Sequence, residues 1–152
     1  MITPESRPLF PSAEWFDFLC ADAKEHPGTY EALGFADFRL LFEIECDDGI
    51  VDRFGIVFDG YDVLSAGKIE DVLAFNAEAA ITGPRAVWSD MVGNIVDNQS
   101  ADSSHTLNAL SIAEAPLRVY SDDPLGKDKF FRYAETLQTL FDSTSRPILI
   151  GV

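Results

Sequence analysis

Basic residues are scarce in this sequence. The 152 residues include 11 Lys and Arg against 26 Asp and Glu, a formal net charge of −15. No window concentrates the few cations, so the field repels phosphate backbones and excludes nucleic acid as a partner. The same field opposes anionic membrane surfaces, but not a hydrophobic molecule that enters a cavity. No apolar run approaches the roughly 20 residues of a transmembrane segment. Residues 1–11 hold Pro4, Pro8 and Pro11 with Glu5 and Arg7, and do not read as a signal peptide. A cytoplasmic protein is expected.

Histidine and cysteine are equally thin. Two histidines, His26 and His105, are too few for a His-rich metal site. The acidic turns Asp47-Asp48-Gly49 and Asp122-Asp123 do not fit an EF-hand loop. No Walker A sequence and no dinucleotide fingerprint occurs. The sequence therefore implies no metal, no cofactor and no catalytic residue. His105 lies beside Asp102, Ser103 and Ser104, but a Ser-His-Asp constellation is assembled by the fold, not by neighbours in a loop. Cys20 and Cys46 stand in no redox or metal spacing. Cys20 falls on the apolar face of a helix and Cys46 on that of a strand, so both read as small core residues.

Phenylalanine is abundant. Twelve Phe stand against four Tyr and two Trp. Phe has no polar handle and can face a dry interior without a partner. Such an interior is either a closed core or the wall of an apolar cavity, and composition leaves both open.

Periodicity orders the chain. Ser12 is a good N-cap, and Trp15, Phe16, Leu19, Cys20 and Ala23 recur at helical spacing until Pro27-Gly28. A short helical turn is expected over Tyr30 to Leu33. From Asp37 the period becomes two: Phe38, Leu40, Phe42, Ile44 and Cys46 point one way, and Leu41 alone breaks the polar side. Asp47-Asp48-Gly49 turns the chain into a return strand through Phe54, Ile56 and Phe58. Tyr61 to Leu64 reads as a third strand, closed by Ser65 to Gly67. Residues 69–82 fit both helix and strand, and periodicity leaves the choice open. Pro84 opens a helix with the stripe Val87, Trp88, Met91, Val92, Ile95 and Val96. A short helix near Leu107 to Ser111 ends before Pro116, and a brief strand covers Leu117 to Tyr120. The longest helix then starts at Pro124, with Phe130, Ala134, Leu137 and Phe141 on its inner face. Its Arg132 is expected to pair with Glu135 or Asp128 on the surface. The apolar tail Pro147 to Val152 is the segment through which a homodimer would form.

Short-linked consecutive strands imply an α+β fold: one antiparallel-rich twisted sheet of about five strands with helices packed on one face. No repeat or linker divides the chain. It reads as one domain over 1–152, with an extended lead-in over 1–11, a core over 35–142 and an apolar tail over 143–152.

The hairpin Leu41-Phe42-Glu43-Ile44…Asp48-Gly49, the run Ile81-Thr82-Gly83-Pro84…Trp88 and the closing Leu137…Leu140-Phe141 resemble sterol-carrier-protein domains of the sterol carrier protein 2-like family. The resemblance covers residues 35–142 and implies a strand over 74–82. It departs from the family at Glu114-Ala115-Pro116, where a Gly-rich segment is usual, and in the insertion over 122–128. The family likeness implies a twisted sheet, helices on one face and an apolar tunnel between them that binds sterols, fatty acids or acyl thioesters without chemistry. By position, the lining would be Phe54, Ile56 and Phe58, then Trp88, Met91, Val92 and Ile95, then Phe130, Ala134, Leu137 and Phe141. The partner implied is a hydrophobic small molecule or lipid. Two other classes compete with this one. The first is a cone-shaped hydratase or isomerase using a buried Asp and His105. The second is an interaction module dimerising through residues 147–152.

Overall fold

The computed structural model describes residues 9–34, 36–111 and 116–145. Its centre is the hairpin. Gly49 takes φ +84, a conformation open to glycine at little cost. The Cys46 amide donates to the Ile50 carbonyl at 2.9 Å. Strands β1 (Ala36–Glu45) and β2 (Val51–Gly60) therefore pair antiparallel, with Phe42 opposite Phe54 and Phe38 opposite Phe58. Strand β3 (Asp62–Lys68) adds antiparallel to β2. Strand β4 (Ala79–Pro84) lies parallel to β1, and β5 (Arg118–Tyr120) antiparallel to β4. The sheet order is β3-β2-β1-β4-β5, mixed but mostly antiparallel, in an α+β fold.

Alternation along β1 sends Phe38, Leu40, Phe42 and Ile44 into one buried face. Helix α1 (Ala13–Glu25) is capped by Ser12, whose hydroxyl accepts from the Trp15 amide at 3.1 Å. It buries Trp15, Phe16, Leu19, Cys20 and Ala23. Phe16 stacks on Phe54 with ring centroids 4.6 Å apart. Helix α4 (Arg85–Asn98) brings Trp88 edge-on to Phe42 at 5.8 Å. Phe42 also meets Phe141 at 5.4 Å. Each such aromatic pair contributes about 0.5–1.5 kcal/mol beyond its buried area. Helices α2 (Pro27–Leu33) and α5 (Leu107–Ser111) complete this side.

The long C-terminal helix expected from the sequence is two helices. Helix α6 (Pro124–Arg132) and helix α7 (Ala134–Asp142) meet at Tyr133, whose backbone (φ −102, ψ 15) leaves the helical region. The break lets two segments pack on different partners: α6 on β1, β4 and β5, and α7 on α1, α4 and α5. The strand expected over 74–82 also changes. Val72–Phe75 form a helical turn, α3, capped by Asp71 and ended by Asn76 in the left-handed region, and β4 starts only at Ala79. The third strand runs on to Lys68, because Ser65 and Gly67 pair with Val57 and Gly55. Cys46 lies just past β1 and is half-buried, its thiol 3.5 Å from Asp52 Oδ2, whereas Cys20 is buried as expected. Arg132 pairs with Asp128. The tail 147–152, most of the lead-in, and Glu114 and Ala115 lie outside the described residues.

Candidate ligand-binding site

The sheet has two faces, and they differ in how they are filled. Ten of the eleven residues expected to line a tunnel sit on the helix side, within one cluster of buried apolar side chains. Phe54, Ile56 and Phe58 come from β2; Trp88, Met91, Val92 and Ile95 from α4; Phe130 from α6; Leu137 and Phe141 from α7. None is more than 8% exposed. Ala134 is half-buried, at the joint between α6 and α7. None of the eleven touches either hollow described next.

The opposite face carries an open groove of about 750 Å³. Its floor is Leu41 and Ala80, level with one another on the two parallel strands, and Ala79 joins the lining where β4 begins. One wall is α3 with Val72, Leu73 and the following Ala77, and the other is the β5–α6 connection with the first turn of α6, Leu125 and Gly126. Leu41 and Ala80 are buried yet stand outside the core cluster. The α3 wall reaches the sheet because Gly55 has no side chain: a Cβ there would lie 2.5 Å from the Phe75 ring. The α6 wall approaches as closely, since a Cβ on Gly126 would lie 1.8 Å from the Glu78 carbonyl oxygen. A second hollow of about 460 Å³ adjoins it, sharing Glu43 and Tyr120.

Sequence reading missed this face. Its signal was the alternation that failed at Leu41 and Val57: a strand face meant for water does not need buried Leu, Val and a bare Gly55 side by side.

The polar groups of the groove are paired. Arg53 Nε donates to Glu43 Oε2 at 2.9 Å, and the Tyr120 hydroxyl donates to Glu43 Oε1. Burial, and then the neighbouring Glu43 carboxylate, push the Tyr120 phenol up to about 12. Glu78 accepts from Lys129 Nζ and from the Arg39 amide at 3.1 Å, and Lys129 Nζ also donates to the Asp37 carbonyl at 3.1 Å. The Glu78 carboxylate raises the Lys129 ammonium above its ordinary value. Asp122 and Asp123 stand exposed on the rim, with Asp123 Oδ1 capping α6 by accepting from Leu125 N at 3.0 Å.

His105 lies elsewhere, in a clamp between the loop after α4 and α4 itself. Its Nδ1 faces Asp102 Oδ1 at 2.7 Å and Ser104 Oγ at 3.1 Å, and its Nε2 faces Asp90 Oδ2 at 3.0 Å. A serine nucleophile needs one imidazole nitrogen while a carboxylate orients the other. Here carboxylates hold both nitrogens and Ser104 shares a nitrogen with Asp102, so the geometry ties a loop down and does not activate a hydroxyl. Among the described residues, no group of three or more His, Cys, Asp or Glu is placed to hold a metal ion. Among the same residues, no helix is long and apolar enough to cross a membrane.

No protein-family model and no curated protein sequence matches the chain. Solved structures do. A crystal structure of sterol carrier protein 2 superposes with a TM-score of 0.64 at 12% identity, covering 92% of this chain and 100% of that one. This chain has the sterol carrier protein fold. A conserved hypothetical protein of Thermus thermophilus, for which sterol carrier protein is the suggested identity, gives 0.62 at 12%, over 96% of both chains. The apo form of sterol carrier protein 2 from Yarrowia lipolytica gives 0.50 at 14%, over 92% of this chain and 97% of that one. At these identities the sterol carrier likeness speaks for the architecture. It agrees with the resemblance seen in the hairpin, the Trp88 helix and the closing helix.

Proposed function

We propose that this protein binds and carries a hydrophobic, lipid-like molecule and does no chemistry on it. The groove is the observation that supports this best. Small-ligand sites are concave, about 300–1,000 Å³ in volume, mostly apolar, with a few polar groups that orient the ligand. The groove has that size and an apolar floor of Leu41 and Ala80, with polar side chains such as Glu43, Arg53, Glu78 and Lys129 around it. The sterol carrier names of the structural neighbours favour the same class of activity. Two free cysteines, Cys20 and Cys46, fit a reducing, cytoplasmic setting.

A second placement puts the ligand on the helix side, among Phe54, Ile56, Phe58, Trp88, Met91, Val92, Ile95, Phe130, Ala134, Leu137 and Phe141. What favours it is the joint at Tyr133, beside half-buried Ala134. Swinging α7 about that joint would open the layer beneath it.

The test is native mass spectrometry of freshly purified protein, with solvent extraction of whatever is bound, followed by uptake of a fluorescent lipid probe. Uptake is then measured in Ala77→Trp, which fills the groove, and Ala134→Trp, which fills the helix side, each checked for an unchanged circular dichroism spectrum. Loss in Ala77→Trp alone supports the groove, and loss in Ala134→Trp alone supports the helix side. A protein that emerges empty and takes up no probe ends the carrier reading.

A further inference from the structure

We propose that the groove selects amphiphiles with a cationic, ammonium-type head over anionic ones carrying the same tail. This rests on the groove being the ligand site. Two cations line it, and both are engaged. Arg53 is bonded to Glu43, and Lys129 is bonded to Glu78 and to the Asp37 carbonyl. Each pair is neutral as a unit, and this leaves the rim carboxylates of Asp122 and Asp123 without a cation among the lining residues. The helix cap that Asp123 makes with one oxygen goes to an uncharged backbone amide and neutralises nothing. A carboxylate or phosphate head would have to break the Lys129–Glu78 pair or sit beside uncompensated negative charge. A cation meets the opposite situation, in a chain whose net charge is −15. Tyr120 also lines the groove and carries an aromatic ring, a surface that quaternary ammonium groups favour.

The tail has its own surface. Leu73 on α3 is 91% exposed and Leu125 on α6 is 66% exposed, and both line the groove. Apolar side chains this exposed at the rim of an apolar floor are surface that a bound tail would cover.

Three probes with one tail test the selection: decyltrimethylammonium, decanol and decanoate, each kept below its micelle concentration. Calorimetry on the full chain at low salt reads affinity and stoichiometry. The ammonium probe should bind at one site about tenfold or more tighter than decanoate, and raised salt should narrow the gap. Asp122→Asn should narrow it too, without touching the Asp123 cap, and Ala77→Trp should remove the site. Decanoate binding as tightly as the ammonium probe overturns the head assignment and leaves the groove reading standing. No binding by any of the three overturns the groove reading itself. Many weak cation sites that survive Ala77→Trp reduce the preference to bulk attraction by a negative chain and overturn the proposal.

Discussion

The Tyr120 hydroxyl donates a hydrogen bond to the Glu43 carboxylate, across 77 positions of sequence. Both residues line the two adjoining hollows, so this bond is part of their shared wall. Glu43 is only 9% exposed, and its burial inside the sheet is offset because Arg53 and Tyr120 both donate to it. It holds the short edge strand β5 to the centre of the sheet, where β4 supplies only three pairs of residues.

Tyr120→Phe removes one of the donors to that carboxylate. The expected cost is about 1–2 kcal/mol, because Arg53 still partners Glu43. That corresponds to a fall in Tm of about 2–8 °C for a domain of this size. The phenol's pKa, raised from 10.0 to about 12, adds a pH test. A raised value in the folded state means the contribution is whole below the unfolded value and fades as pH rises through the folded one. Stability from this contact should therefore disappear between about pH 10 and 12. Ultraviolet titration should show one late-ionising tyrosine that is missing from the variant.

Trp15 Nε1 donates to Thr144 Oγ1 at 2.8 Å in a buried contact that ties α1 to the turn following α7. Thr144→Val keeps the shape and leaves the indole N–H without its partner. A loss of about 1–2 kcal/mol is expected. It should appear as a lower urea midpoint with an unchanged slope. An unchanged midpoint would mean that the indole finds another acceptor.

His105 should titrate above its ordinary 6.5, chiefly because it is hydrogen-bonded to Asp102, with Asp90 adding to the effect. Asp102 is in turn held well below the usual carboxylate range, first by His105 and then by Ser104. The clamp is complete below pH 6.5 and loosens as pH rises through the histidine's raised value. Nuclear magnetic resonance titration should find that value lowered in Asp102→Asn. Amide exchange in the 99–106 loop should speed up over the same pH range. A His105 pKa that does not move in Asp102→Asn would refute the clamp.

Two glycines should respond to alanine with opposite sign. A Cβ on Gly126 would meet the Glu78 backbone, which cannot step aside, so Gly126→Ala should cost about 3 kcal/mol or more. Gly93, within α4, has nothing within 4 Å of where a Cβ would be, and Gly93→Ala should gain about 0.5–1 kcal/mol. Denaturant melts of the two variants decide both. Lipid-probe uptake should fall in the first and hold in the second, since Gly126 belongs to the groove wall.

What was legible in the sequence is what short range controls. Alternation at Phe38, Leu40, Phe42 and Ile44 marks a strand with one apolar face, Asp47-Asp48-Gly49 marks the hairpin, and Ser12 marks a helix start. Each depends on neighbours a few positions away. The likeness to sterol carrier domains lay in the hairpin, the Ile81-Thr82-Gly83-Pro84…Trp88 run and the closing Leu137…Leu140-Phe141, and the fold agrees with it. Tertiary structure decided the rest. Whether Phe54, Trp88 and Phe141 close against one another or surround a space produces the same periodicity, so only their packing tells the two apart. The break at Tyr133 comes from two helices needing different partners, which no local signal records. The pairs Glu43 with Tyr120 and Glu78 with Lys129 join residues 77 and 51 positions apart. Charges that distant carry no mark in the sequence of having been neutralised. The groove's walls, floor and charge balance exist only once strands from different parts of the chain lie side by side.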